Sequence, residues 1–369
     1  MPLRRCASTF LALAAISIGV AACSAGTSSS PAAAAGSLRF ATTELTLPGS
    51  SGIVLLDYIA FDRASGALWV PASSTGSVDV IDGATDRITQ ISGFGTSTFE
   101  MRGRAVVLGP TSVTIGDGVA YVGNRADSSV CAVDTSSLAL GRCRRIGTAE
   151  EGLAAAPDAV VYVRLTRELW VTRGAPPMGI TPPDHSILIL DVAGQHQLDE
   201  KARLELSGSA KGYAVDESRG LFFTSIEEER RTVAIDVHTR QIVKSWQAGC
   251  SEPHGLAIDE ARGILLVACP ERVVSLDVEH EGQVLGSIDT GAGVDNIAYL
   301  PATRMVYAAA ADAAALTIAR LGDRGQLERV ATVPTTRSAR GVVVDDVGRA
   351  YLINPLRGSI WKLTPDDRP

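Results

Sequence analysis

Asp57, Asp158 and Asp295 are three carboxylates, Lys211, His254 and Arg340 are three bases, and Thr111 (beside Pro110) is a hydroxyl. All of them stand at or next to one position of a recurring pattern. Carboxylates converging on one point would hold a hard cation such as Ca²⁺ through oxygen, and a lactonase-like hydrolase would use that cation to polarise a carbonyl. His254 next to an acid, with Glu252 nearest in sequence, would serve a lyase as its base. With mixed signs, the same ring also suits mutual neutralisation, or recognition of a ligand or partner by polar groups. Other chemistries lack their residues. Gly95-Thr-Ser-Thr-Phe99 departs from a nucleophile elbow, because Phe99 stands where the second glycine is needed. No His-Glu-x-x-His, phosphate-binding Gly-Lys-Ser/Thr loop or Cys-x-x-Cys-His occurs.

These positions are set by a repeat. The clearest copy runs from Pro253-His-Gly-Leu-Ala-Ile-Asp259 through Ile264–Ala268 and Val273–Asp277 to Gly282–Ile288. It reads as four short strands with tight turns between them. Weaker copies have first strands ending at Asp62, Ile115, Val163, Asp216, Leu300 and Asp345, giving steps of 41 to 53 residues. Each candidate site residue lies four or five places before one of these ends. Repeats of this length, with no sustained helical period, predict four-stranded propeller blades. The seventh copy ends with the chain after Ser359–Leu363, one strand short. Leu38–Leu47 is a spare strand at the other end that would complete that blade and close the ring. The expected fold is therefore all-β: a seven-bladed β-propeller over residues 37–369, closed by the N-terminal strand.

The His-Gly-Leu-Ala-Ile-Asp unit (254–259), Leu265-Leu-Val-Ala268 and Val273-Val-Ser-Leu-Asp277, with their six weaker copies, resemble the YncE-like bacterial propellers built from YVTN-type repeats. The resemblance implies the architecture and an association with surface, periplasmic and redox-linked proteins. DNA binding has been attached to the family's namesake. Here the net charge of −7 becomes −9 without Arg4 and Arg5, so the body has no electrostatic pull toward phosphate backbones and nucleic acid is not an expected partner.

In propellers, the loops between blades and those between second and third strands share the face where the ring lies, around the mouth of the channel. Long loops are expected on that face at 95–109, 148–157 and 173–186, the last with apolar Met178 and Ile180. Arg125, Arg173, Glu227 and Asp312 at second-strand exits would extend the site.

Four cysteines fall within the blades. Cys131 and Cys143 face each other across a turn near Ser136–Leu138, and Cys250 and Cys269 sit at neighbouring ends of a hairpin. The expected disulfides are thus Cys131–Cys143 and Cys250–Cys269. This usage suits an oxidising compartment. Residues 1–22 have a basic start and a short apolar stretch, as an export signal does. Val20-Ala-Ala-Cys23 resembles the lipobox of bacterial lipoproteins, which implies lipidation of Cys23. Residues 23–36, small and polar, would form a flexible tether. The expected location is the cell envelope, on the periplasmic side of the outer membrane if the cell is Gram-negative. The expected role is a non-catalytic binding or scaffold propeller with a monomeric domain. It would be attached to the membrane through Cys23 and would recognise an envelope protein or small ligand at the channel mouth. The alternatives are the metal-dependent hydrolase or lyase and an accessory subunit of a periplasmic redox enzyme. No cofactor is expected, with Ca²⁺ the one ion that Asp57, Asp158 and Asp295 would take.

Overall fold

Short strands with two apolar faces cannot bury both in one sheet, so each sheet packs between two others. The computed structural model describes residues 38–366 apart from 102–103, 149–150, 152–154, 174–184, 193 and 195–196. The export signal, Cys23, the tether and the loop carrying Met178 and Ile180 lie outside the described residues. Seven four-stranded antiparallel sheets follow one another as blades. Their innermost strands begin at Ala60, Pro110, Pro157, Ala210, Leu256, Val294 and Val342. The last blade is completed by Phe40–Thr46, which pairs antiparallel with Ser359–Pro365 over seven residue pairs. The seven-bladed fold and its closing strand are as the repeat predicts.

The core is divided by blade. Seven clusters of buried side chains are present among the described residues, one at each junction between neighbouring blades. Leu169, Leu188 and Leu190 of blade 3 pack against Tyr121, Val130 and Ala132 of blade 2. Their neighbours on the same strands, Trp170, Ile187 and Ile189, pack against Phe222 and Val233 of blade 4. Alternation along a strand thus sorts side chains between two junctions rather than between core and water.

Inner strands approach closely around the channel. Tyr58 donates its N–H to Thr111 at 3.0 Å, Gly255 to Asp295 at 2.8 Å and Asn296 to Arg340 at 3.0 Å, each crossing to the next blade. Gly212 has φ +62°, and a Cβ there would fall 2.5 Å from Gly255 Cα, so only glycine fits. Both expected disulfides are formed, with Cα separations of 3.9 Å for Cys131–Cys143 and 6.0 Å for Cys250–Cys269. They favour an oxidising, exported setting. No helix among the described residues is long and apolar enough to cross a membrane.

One expected loop is structured. Residues 95–109 contain a hairpin of Ser97–Met101 and Arg104–Leu108, a two-stranded sheet outside the blades. Ser-Thr-Phe-Glu-Met and Arg-Ala-Val-Val-Leu are strand-forming runs.

Candidate functional site

The ring positions precede or begin the innermost strands, where the chain enters each blade, so their side chains meet at the channel mouth. Asp57 is the centre. Its Oδ2 accepts from Arg125 Nη2 at 3.0 Å, and its Oδ1 lies 3.5 Å from Arg340 Nη2. Arg125 also pairs with Asp158, and its Nε donates to the Pro157 carbonyl. Arg340 Nη1 lies 3.3 Å from Asp295 Oδ2, and Asp295 Oδ1 lies 3.4 Å from His254 Nδ1. The result is one chain, Asp158–Arg125–Asp57–Arg340–Asp295–His254. It passes through blades 3, 2, 1, 7, 6 and 5. Blade 4 contributes Lys211, whose Nζ pairs within its own blade to Glu227 at 3.5 Å. Thr111 is fully buried and its hydroxyl finds no partner among the described residues, so it stands apart from the chain.

Burial and pairing oppose each other along this chain. Burial raises the Asp57 carboxyl above its usual range against the pull of Arg340 and Arg125. For Asp295 burial acts upward too, but the His254 hydrogen bond and Arg340 outweigh it and hold the carboxyl low. His254 is raised, first by its hydrogen bond to Asp295. Arg340 is held more basic than usual, first by Asp57. With His254 protonated, three carboxylates face three cations.

Below the mouth lies a cavity of about 180 Å³ lined by Asp57, Tyr58, Tyr213, Asn296 and the aliphatic side chains of Ile59, Leu256 and Val342. Tyr58 of blade 1 and Tyr213 of blade 4 meet with ring centroids 5.8 Å apart. Burial pushes the Tyr213 phenol up to about 12 and acts first on Tyr58 as well, so both remain neutral.

Six of the seven sequence-predicted positions thus carry ion-paired side chains around the mouth, five of them in one chain. The three aspartates proposed as cation ligands each face a cation of the protein itself. Among the described residues, no group of three or more His, Cys, Asp or Glu side chains is arranged to hold a metal. The acid beside His254 is Asp295 of the next blade rather than Glu252. Arg125, a second-strand exit, is the linking residue, and Glu227 pairs with Lys211 as a neighbour of the ring. Arg173 is outside the chain of charges and pairs with Glu151 at 3.0 Å.

No family model matches the chain, and no curated protein matches it by sequence. Many solved structures share its fold. A chain in a crystal structure of a mitotic checkpoint complex matches with TM-score 0.68 at 14% identity, over 96% of this chain and 100% of that one. U3-55K matches with TM-score 0.67 at 12% identity, over 87% and 98%. A chain of Kuenenia stuttgartiensis hydrazine synthase matches with TM-score 0.65 at 14% identity, over 87% and 99%. The likeness is one of fold: a seven-bladed β-propeller.

Proposed function

We propose that the chain is a YncE-like cell-envelope lipoprotein, a non-catalytic propeller whose channel-mouth face binds a protein partner. The observation that carries this is the ion-pair chain across six blades. A site built to hold Ca²⁺ leaves carboxylates uncompensated, whereas here Arg125, Arg340 and His254 already occupy Asp57, Asp158 and Asp295. The ring acts as a staple that sets the mouth, and recognition falls to the loops above it. A checkpoint-complex chain of like shape lends support as a propeller found within a protein assembly. The lipid anchor rests on the Val20–Cys23 run and the envelope setting on the two disulfides.

The test uses the full chain expressed with its own export signal in a bacterium. Mass spectrometry of the Cys23 peptide reads the lipid, and a photo-crosslinker at Lys211 reads the partner. A lipidated Cys23 and one discrete crosslinked protein are expected. An unmodified Cys23 removes the anchor. Stoichiometric Ca²⁺ in native mass spectrometry, lost in Asp158→Ala, overturns the non-catalytic reading.

A further inference from the structure

The hairpin 97–108 stands on the mouth face with one strand edge facing a groove. The groove holds about 420 Å³ between Ala105, Val106 and Val107 on one side and Gly49, Ser51, Ile53 and Leu55 on the other, with Ser74 at its end. Strand 104–108 pairs with 97–101 along one edge only. Ser73 Oγ donates to the Val107 carbonyl at 3.0 Å, so that carbonyl points away from strand 97–101. Main-chain groups alternate sides with a period of two. The N–H of Val107 and both the N–H and C=O of Ala105 therefore face the groove, and none has a partner among the described residues. Ile53, in the opposite wall, is 56% exposed.

We propose that this groove takes one extended, uncharged polypeptide segment of the partner, which adds as a third strand to the 104–108 edge. The inference rests on the mouth-face reading and names how the partner is held. Three main-chain groups in register call for another main chain, since only a backbone offers acceptor and donor at that spacing. None of the eight lining residues is charged, so a charged segment would lose its hydration without compensation.

The probe is an acetylated, amidated peptide, Thr-Val-Thr-Val-Thr, added to the mature domain, with amide exchange followed residue by residue by NMR. In the free protein the Val106 amide, paired within the hairpin, exchanges slowly while those of Ala105 and Val107 exchange fast. Peptide slows Ala105 and Val107 by about tenfold or more, the factor that one main-chain hydrogen bond carries. Val107→Pro removes the outward N–H without touching the hairpin ladder and weakens binding by a similar factor. The same peptide N-methylated at its central residues fails to bind the wild-type protein, which keeps the test independent of the variant's folding. Slow exchange of Ala105 and Val107 without peptide overturns the proposal. So does unchanged exchange at saturating peptide, and so does protection that grows with protein concentration alone, the mark of a second copy. If Val107→Pro still crosslinks to the envelope partner as wild type does, the strand slot falls and the mouth-face reading stands.

Discussion

Asp79→Asn should stabilise the protein at neutral pH, with the gain shrinking as pH falls toward 4. Asp79 lies in the third strand of blade 1 and is fully buried. Its Oδ1 accepts from Gln90 Nε2 at 3.1 Å and from Ser77 Oγ at 3.4 Å, while its Oδ2 has no partner among the described residues. No cation among the described residues acts on it, and burial raises the carboxyl to about 6 against the hydrogen bonds from Gln90 and Ser77. The folded value exceeds the unfolded one, near 3.8, so the folded state holds the proton more tightly. Stability from this group is therefore greatest below pH 4 and falls as pH rises to about 6. A shift of about two units corresponds to roughly 3 kcal/mol. Asparagine cannot ionise and keeps the acceptor for Gln90 and Ser77. Its amide leaves a donor unpaired where the protonated acid left its own, so that cost is similar at both ends of the range. Denaturant unfolding at pH 4.5 and pH 7.5 reads the difference. The variant should gain about 2 kcal/mol relative to wild type between the two pH values, since about 1 kcal/mol of the full effect is already present at pH 4.5. A gap independent of pH, or a wild type that gains stability from this group as pH rises, would refute the reasoning.

Asp57→Ala should cost about 3–5 kcal/mol, because it leaves Arg125 and Arg340 without their shared carboxylate at the mouth, and thermal unfolding checks it. Gly212→Ala should destabilise strongly through its positive φ and its clash with Gly255, whereas Gly66→Ala, with open space around it, should cost only the backbone strain. His254→Gln should remove a pH dependence. The raised histidine stabilises the fold fully below about 6.5 and loses that contribution as pH climbs through its folded value, so the wild-type and variant melting temperatures should converge in alkali. Thiol titration of the unfolded, unreduced mature domain lacking Cys23 should find no free cysteine, and Cys250→Ser with Cys269→Ser should lower stability by about 3 kcal/mol on the loop-entropy account.

The repeat made the ring legible. A fixed offset from each strand end brings Asp57, Asp158, His254, Asp295 and Arg340 to one height of one channel, however weak each copy is. Which side chains pair was not legible, because that depends on where Arg125, from a different strand, reaches between blades 1 and 3. Asp295 as the partner of His254 required the order of blades in space rather than neighbours in sequence. Asp79 carried a signal of its own. In Ser77-Val-Asp-Val-Ile-Asp82 it shares a side with Ile81, which packs at the junction of blades 7 and 1. In a fold that buries both faces of a strand, a polar residue between buried neighbours is itself buried. The 97–108 hairpin went unread as structure because it belongs to no repeat, so only its local strand propensity marked it.

The ring of blades is closed within blade 7, where strand 40–46 meets strand 359–365; every other step between blades is made by continuous chain. A ladder of seven residue pairs alone would leave the last three strands free to peel away together. Contacts from those strands to blade 1 bypass the ladder. Lys362 Nζ reaches Asp86 at 2.5 Å and the Gly83 carbonyl at 3.2 Å, and Arg349 donates to the same carbonyl at 2.5 Å. Arg63 pairs with Asp346 on that side, while Arg340 holds Asp57 at the opposite, channel-mouth end. The blade that closes the ring is thus fastened to blade 1 at both ends of the channel. Arg340, which joins Asp57 to Asp295, ties that closure into the chain of charges around the mouth. Polar residues at the ring positions then follow from closure itself: apolar side chains there would fill the mouth without fastening blade 7 to blade 1.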